Sequence, residues 1–251
     1  MNYWEILAQK TKKKAISSTD PNLDFLERES IKKYLKKTWR VIDVGSGDGL
    51  ATLEFAAKVR LIEGLEAAPA VIQIAEKNQK LKRNKTVTWR EGSAVDIAEI
   101  YKGEKFDCLI SKRCLINVET WGNQKKAISG MAELLKPGGF LLLCEGFADT
   151  FKNLNDLREK HGLERDKVVS FNRYFERRPF EEIVKKDFRI MEQNNFGLYY
   201  FLSHFFYPYL IFPQDPKYRS KINQMATKLS LKDKMLEEFG YISFYALKKK
   251  S

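Results

Sequence analysis

Short apolar runs alternate with stretches of helical spacing through the middle of the chain. The runs predict strands at 40–44, 59–65, 86–89, 106–111 and 140–145. Between them, apolar residues recur every three or four positions, which predicts helices at 50–57, 70–81 and 124–135. Strands that alternate with helices build βαβ units with right-handed crossovers. This part of the chain therefore predicts a mostly parallel sheet with helices on both faces.

The two ends of the chain are less regular. Two helical patterns flank a polar break at 17–22, and the second of them, 23–35, is amphipathic. After Glu145 the chain is expected to be irregular as far as Pro179, except for a helix at 154–160. The remaining expectations are strands at 188–193 and 241–247, an aromatic stretch at 196–212, a helix at 218–229 and a solvated lysine tail at 248–250.

Composition limits the location and the partners. The formal net charge of +12 suits an acidic partner, but it also suits an ordinary lysine-rich surface. Cys108, Cys114 and Cys144 lie in apolar sequence without the paired spacing of a zinc site, so we expect reduced, buried thiols. No run approaches the roughly 20 apolar residues of a membrane span, and the first residues do not resemble a signal peptide. We therefore expect a cytoplasmic protein.

The segment Val41–Gly49 joins the first predicted strand to a loop with glycines at three alternate positions. Such glycines let a polar ligand lie directly against the backbone. Dinucleotides and S-adenosylmethionine are the two candidates. A pyrophosphate gains nothing from neighbouring carboxylates, whereas the ammonium group of a methionine moiety is attracted to them. Asp43 and Asp48 therefore favour the methyl donor.

A second acid is expected at the end of the second strand, about 20 residues further on, where it would accept hydrogen bonds from ribose hydroxyls. Glu66 meets this expectation. Glu63 is the competing candidate, but it falls inside the predicted strand. The alternative is that both glutamates simply face solvent in a turn.

On these residues the chain resembles class I S-adenosylmethionine-dependent methyltransferases. The resemblance covers about residues 39–145 and rests on four motifs: 41–49, 64–75, 90–97, and 106–111 followed by 134–140. In the last motif Pro137 ends a helix, and the glycines after it turn the chain into the next strand. The segments 20–27 and 195–200 also resemble bacterial methyltransferases of surface-glycan and natural-product pathways.

The resemblance implies a single Rossmann-like domain, 1–251, with a doubly wound, seven-stranded α/β sheet. Its implied parts are N-terminal helices (1–38), a cofactor-binding core (39–145), substrate-facing insertions with strand 6 (146–238), and a last strand and tail (239–251). The implied cofactor-binding residues are Asp43, Gly45, Ser46 and Gly47 at the methionine end, Glu66 at the ribose, Ala67, Ile72, Ser93 and Ala94 around the adenine, and Ser111 near the sulfonium. Many relatives have Asp where this chain has Ser93, so we expect a weaker hydrogen bond there.

Methyl transfer is an in-line displacement that depends mainly on positioning, and a hydroxyl acceptor benefits from a general base. His161 is expected at a solvent-facing helix end, whereas His204 lies in the aromatic segment and could line a pocket. We assign His204 and Arg113 as candidate catalytic residues, with a buried structural role as the alternative for His204. Further residues expected above the strand ends are Asn117, Glu145, Arg173, Arg177, Arg178, Tyr199 and Tyr200.

The sequence after the fourth strand lacks the Pro-Pro-aromatic motif of base-methylating enzymes and the carboxylate cluster of metal-dependent ones, and no cysteine follows a proline. We therefore expect neither base methylation nor a catalytic metal. Arginines among aromatics suit a sugar, a nucleotide-sugar or another anionic small molecule, so the predicted acceptor is a hydroxyl of such a metabolite. The alternatives are an RNA or protein methyltransferase that docks through its basic surface, and a catalytically silent binding subunit. The aromatic segment could also form a homodimer contact.

Overall fold

A seven-stranded sheet forms the centre of the structure, a computed structural model that describes Glu5, Ile6 and residues 20–251. The strands are β1 Arg40–Val44, β2 Leu61–Glu66, β3 Val87–Glu91, β4 Phe106–Lys112, β5 Leu135–Gly146, β6 Phe188–Asn194 and β7 Ile242–Lys249. Their order is β3-β2-β1-β4-β5-β7-β6. Only β7 runs antiparallel to its neighbours, β5 and β6. The predicted doubly wound, mostly parallel fold is confirmed.

Helices cover both faces of the sheet. In the described part of the chain they are α1 Pro21–Lys32, α2 Leu50–Phe55, α3 Pro69–Leu81, α4 Ile97–Ile100, α5 Trp121–Leu134, α6 Ala148–Lys160, α7 Arg177–Asp187, α8 Gly197–Tyr200, α9 Tyr207–Ile211 and α10 Lys221–Ser230. A π-helical turn, Phe201–Phe206, joins α8 to α9. None of the described helices is long and apolar enough to cross a membrane.

The hydrophobic core has two layers, one on each side of the sheet. Ile42 and Leu109 belong to one layer, whereas Val41, Cys108 and Ile110 belong to the other. This is the alternation expected of strand residues that point to opposite faces. Because both layers are covered by helices, the central strands are apolar at nearly every position, which made them easy to predict.

The strand order reverses at β1, which pairs with β2 on one side and β4 on the other. The chain segments that follow β1 and β4 cross to opposite faces of the sheet. A crevice therefore forms between them, at the carboxyl ends of these two strands. The loop after β1, 45–49, and the loop after β4, 113–118, border that crevice. The fold thus places the two loops singled out by the sequence next to each other.

Helix α1 begins at an Asp-Pro pair. The side chain of Asp20 accepts hydrogen bonds from the backbone N–H of Asn22 at 3.0 Å and of Leu23 at 3.2 Å. Pro21 fills the first helical position, where no N–H is needed. The polar break predicted at 17–22 therefore contains a helix cap. The helical pattern predicted before it lies outside the described residues, apart from Glu5 and Ile6, which are helical.

Two predictions for the second half were wrong, and the aromatic stretch, for which no secondary structure was predicted, is now defined. The region after Glu145 is not irregular, since α6 begins at Ala148 and α7 was missed entirely because its apolar face is reduced to Phe180 and Val184. The aromatic stretch is helical. The C-terminal lysines are not a free tail: strand β7 extends to Lys249, whose Nζ donates to the carbonyl oxygens of Ala132 at 2.6 Å and Leu135 at 2.8 Å.

Candidate functional site

The loop after β1 has the backbone that its glycines predict. Gly45, Gly47 and Gly49 have φ of +69°, +56° and +74°, a region that other residues avoid. The N–H of Gly45 donates to the carbonyl oxygen of Leu65 at 2.8 Å, which ties the loop to β2. A Cβ at Gly45 would lie 2.4 Å from Sγ of Cys114. The glycine loop therefore packs directly against the loop after β4.

Glu66 links the glycine loop to the end of β2. Its carboxylate accepts the N–H of Gly47 at 3.0 Å and the N–H of Ala68 at 3.1 Å. Burial raises the pKa of Glu66, although these backbone hydrogen bonds oppose the shift. Glu63, the competing candidate, lies within β2 and pairs with Nε of Arg90 at 2.8 Å. Of the two glutamates, Glu66 is the one at the crevice.

Asp43 is the penultimate residue of β1, and its carboxylate is buried. The hydroxyl of Thr52 donates to Asp43 at 2.6 Å. Burial raises the pKa of Asp43 to about 6, and the nearby Lys112 ammonium opposes that rise. Ser46 is also buried, and its Oγ has no hydrogen-bond partner among the described residues.

The residues predicted to surround the adenine follow β2 and β3. The ends of these strands pair in parallel at Glu66 and Glu91, so their loops share one edge of the sheet. Ala67 is exposed, Ile72 and Ser93 are partly buried, and Ala94 is buried. Oγ of Ser93 accepts the N–H of Val95 at 3.1 Å, which leaves its own hydroxyl proton free to donate elsewhere. Their roles toward adenine stay predictions.

Glu145 at the end of β5 braces the loop after β4. Its carboxylate accepts the hydroxyl of Ser111 at 2.7 Å. It also accepts three backbone N–H groups, from Cys114 at 3.2 Å, Leu115 at 3.0 Å and Ile116 at 3.1 Å. Burial raises the pKa of Glu145 to about 7. Glu145 was expected above the strand ends and Ser111 near the sulfonium; in the structure the two side chains bind each other, and the role of Ser111 toward the cofactor stays a prediction.

Arg113 and Lys112 are paired with acids on α1. Nε of Arg113 lies 3.2 Å from Oε1 of Glu27, and Nζ of Lys112 lies 2.7 Å from Oδ1 of Asp24. Glu27 is fully buried, and neither of its oxygens accepts a hydrogen bond of good geometry from a described residue. Burial raises the pKa of Glu27, and the guanidinium of Arg113 opposes that rise. The prediction missed Glu27 as a partner of Arg113.

His204 lies between two further acids. Its Nε2 is 3.8 Å from Oδ2 of Asp20, and its Nδ1 is 3.6 Å from Oδ2 of Asp166. Burial alone would lower the pKa of His204, but the two carboxylates raise it above its ordinary value. The hydroxyl of Tyr199 also donates to Asp20, at 2.8 Å.

Together these side chains form one group, here called the polar cluster, in which Asp20, Glu27 and Tyr199 are buried and the others are partly buried. Its members are Asp20, Asp24, Glu27, Lys112, Arg113, Asp166, Tyr199 and His204. Asp20, which caps α1, and Asp24 and Glu27 within it stand at positions i, i+4 and i+7, a spacing that places them on one helix face. That spacing is the sequence signal that could have revealed the cluster.

A wall of tyrosine rings adjoins the polar cluster. Tyr200 and Tyr241 have ring centroids 4.4 Å apart, and Tyr174 and Tyr241 stack at 5.8 Å. A Cβ at Gly146, where β5 ends, would lie 2.5 Å from the ring of Tyr174. The ring of Tyr200 is 4.9 Å from that of His204. We call Tyr174, Tyr200 and Tyr241 the tyrosine wall.

Other residues expected near the acceptor lie elsewhere. Arg177 binds Asp149 at 2.7 Å and the hydroxyl of Tyr245 at 2.8 Å. Arg178 has a side chain that is 91% exposed and pairs with Glu182 on the next turn. Neither arginine belongs to the polar cluster, because Arg177 binds other partners and Arg178 faces solvent. Arg173 is exposed and Asn117 donates to the carbonyl oxygen of Arg113.

Residues 35–195 match a family model described as a methyltransferase domain. The chain belongs to this methyltransferase family. The matched region contains the glycine loop, Glu66 and the loop after β4. The predicted class I S-adenosylmethionine-dependent methyltransferase is confirmed, and with it S-adenosylmethionine as the cofactor and S-adenosylhomocysteine as its demethylated product.

Curated relatives share part of the methyltransferase. A demethylmenaquinone methyltransferase of Tropheryma whipplei is 33% identical over 105 residues, which are 42% of this chain and 41% of that protein. A ubiquinone biosynthesis O-methyltransferase of Cereibacter sphaeroides is 31% identical over 105 residues, 42% of this chain and 40% of that protein. The chain thus spans about two fifths of the length of these relatives.

A solved structure resembles nearly the whole methyltransferase. It is a methyltransferase in complex with the Haloferax volcanii Trm112 methyltransferase activator, with a TM-score of 0.64 and 13% identity over 99% of this chain and 98% of that one. At this identity the likeness shows the fold alone. The helices after β5 therefore belong to a fold that another methyltransferase shares.

Proposed function

We propose that the protein transfers a methyl group from S-adenosylmethionine to a hydroxyl group of a small polyhydroxylated acceptor, such as a sugar unit. The polar cluster would hold the acceptor beside the loop after β4. The observation that carries this proposal is Glu27, a buried carboxylate beside Arg113 of the loop after β4, whose oxygens lack hydrogen-bond donors of good geometry. Buried carboxylates need donors, and the hydroxyls of a polyol supply them.

The residues at the strand ends fit the donor. S-adenosylmethionine supplies an electrophilic methyl group on a sulfonium that carries an ammonium-bearing chain and a ribose. Asp43, with a pKa of about 6, is ionised at neutral pH and would attract the ammonium. Glu66 is already oriented by the N–H groups of Gly47 and Ala68, so its carboxylate would accept ribose hydroxyls without reorganising.

The acceptor side suits a neutral polyol better than an anion. Lys112 and Arg113 each lie beside a carboxylate of α1, which compensates their positive charge and so disfavours a phosphate or carboxylate group. Tyr174 and Tyr241 of the tyrosine wall are only partly buried, so a sugar ring could stack on them. Among the predicted acceptors, a sugar is therefore better supported than an anionic metabolite.

His204 is arranged to receive the hydroxyl proton. Carboxylates face both ring nitrogens, which raises the pKa of His204 and makes its neutral form a stronger base. The Cereibacter sphaeroides relative is named an O-methyltransferase, which supports oxygen as the acceptor atom. Since that match covers 42% of the chain, the relative's own acceptor is not transferred to this protein.

Labelled S-adenosylmethionine tests the proposal. Transfer of tritiated methyl groups would be measured with panels of free sugars and nucleotide-sugars, with catechols, and with RNA and protein as competing acceptors. We expect an alkali-stable ether on a sugar. Transfer only to RNA or protein would contradict the acceptor, and absence of saturable cofactor binding by calorimetry would contradict the enzyme.

A further inference from the structure

Exposed apolar side chains concentrate in one part of the chain. Of the fifteen large apolar side chains that are exposed among the described residues, nine lie between Phe206 and Met235. The most exposed are Phe212 at 66%, and Leu210 and Met235 at 56% each. Isolated exposed apolar residues are ordinary, but a concentration of this kind marks a surface that contacts something else.

Helix α10 buries polar side chains on one face and exposes apolar side chains on the other. Its buried positions include Asn223, Thr227 and Ser230, whereas Met225 is 49% exposed and Leu229 is 37% exposed. Met225 and Leu229 are four residues apart and therefore lie on one side of the helix. A helix that only packed against its own protein would bury these two side chains first.

The same stretch of chain carries an excess of exposed cations. Residues 206–235 contain six lysines and arginines against two aspartates. Lys234 pairs with Glu192 at 2.7 Å. The other five are exposed and make no ion pair with a described residue: Lys217, Arg219, Lys221, Lys228 and Lys232. We call residues 206–235 the basic apolar surface.

We infer that the basic apolar surface docks the protein onto an anionic lipid bilayer. Aliphatic side chains such as Met225 and Leu229 gain nothing from a nucleic-acid backbone, and they require a hydrocarbon environment. The lysines beside them require phosphate or another anion. An anionic bilayer interface places lipid phosphates directly above hydrocarbon. Amphipathic helices bind membrane surfaces through these same two contacts.

A second copy of the chain fits this surface less well. An interface formed from two identical surfaces would bring the same cations together, which opposes association. The surface also adjoins the polar cluster, because His204 stands in the π-helical turn that ends at the exposed Phe206. Docking would therefore hold the acceptor site close to the bilayer without any membrane-spanning helix.

Vesicle co-sedimentation tests the apolar contribution independently of methyl transfer. The protein would be mixed with vesicles of equimolar phosphatidylcholine and phosphatidylglycerol, or of phosphatidylcholine alone. We expect binding to the anionic vesicles and at least about tenfold weaker binding of a Phe212→Ser, Met225→Ser, Leu229→Ser variant. The matched control replaces exposed apolar residues elsewhere, Leu61→Ser, Leu81→Ser and Met191→Ser, and should bind like the unmodified protein.

Charge neutralisation tests the electrostatic contribution. Lys217→Gln, Lys221→Gln and Lys228→Gln together should weaken partition about 100-fold at low ionic strength, since each lysine near an anionic surface adds roughly 1 kcal/mol. Lys77→Gln, Lys82→Gln and Lys85→Gln are the exposed controls with the same net charge change. Circular dichroism confirms folding of each variant. Equal losses in both lysine sets, or a dimer that the serine variant dissociates without any vesicle binding, would overturn the inference.

Discussion

The glycine loop of the cofactor side packs against Cys114 in the loop after β4, which borders the proposed acceptor side, yet the two sides are built by different means. On the cofactor side, backbone conformation sets the geometry: three glycines with positive φ and N–H groups that orient Glu66. On the acceptor side, charged side chains from distant segments set it. The first kind of site depends on local chain shape, whereas the second depends on which segments the fold brings together.

This difference predicts which substitutions separate the two sides. A change in the glycine loop should affect the donor first, and a change in the polar cluster should affect the acceptor alone. If both kinds of change lower the affinity for the donor and kcat/KM for the acceptor equally, the two sides act as one unit.

Gly45→Ala should have the largest effect. The new Cβ would lie 2.4 Å from Sγ and 2.5 Å from Cβ of Cys114, at a φ of +69°. We expect affinity for S-adenosylmethionine to fall at least about 100-fold in a calorimetric titration, since overpacking and strain act together. Gly103→Ala is the matched control, with φ +83° but nothing within 4 Å. It should cost about 1 kcal/mol of stability and leave affinity unchanged; equal losses in the two variants would contradict the contact.

Glu27→Gln should act on the acceptor side only. The amide keeps the shape of the side chain but weakens the acceptance of hydroxyl hydrogen bonds, so kcat/KM for the acceptor should fall about 50-fold. Affinity for S-adenosylmethionine should stay within about twofold, because Glu27 touches no part of the glycine loop. The control is Glu29→Gln on the same helix, where the side chain is 33% exposed. A loss of donor affinity in Glu27→Gln would remove the distinction between the two sides.

These two variants also mark the limit of prediction from sequence. The glycine loop, Glu66 and the seven strands follow from spacing and local chain shape, so they were predicted close to their observed places. The polar cluster depends on contacts between residues far apart, such as Lys112 with Asp24, 88 positions apart, and Tyr199 with Asp20, 179 positions apart. The spacing of Asp20, Asp24 and Glu27 marks one face of the cluster, but no local pattern reports which distant residues pair with it. For the same reason the partners of Arg113, assigned as a candidate catalytic residue, and of Glu145, expected above the strand ends, were not predicted.

Glu66→Gln sharpens the description of the cofactor side. The carboxylate accepts N–H groups from two different loops, and an amide can satisfy only one of them with its oxygen. We expect affinity for S-adenosylmethionine to fall about 20-fold, the effect of a hydrogen bond to a charged group. Glu63→Gln, on the same strand, should leave affinity unchanged. The reverse result would make Glu63 the ribose ligand.

The pH dependence of donor binding should give the smallest effect and the most specific one. Burial and the neighbouring Glu66 raise the pKa of Asp43 to about 6, whereas Thr52 and Lys112 lower it. Below pH 6 the carboxyl is mostly neutral and attracts the ammonium of the donor weakly. Affinity should therefore rise up to about tenfold between pH 5 and pH 7.5 and then level off.

Protein stability should change in the opposite direction over the same pH range. Because the folded-state pKa of Asp43 lies above its ordinary value of 3.8, the folded protein holds that proton more tightly than the unfolded chain. The stability from this group is present below about pH 4 and is lost as pH rises through 6. In Asp43→Asn the pH dependence of donor affinity and the pH dependence of stability should both weaken. Glu66 remains in this variant as the other titrating group. Calorimetry and urea unfolding at each pH measure them. An unchanged rise in affinity in Asp43→Asn would assign the titration to Glu66, and the methionine end would then need a different partner.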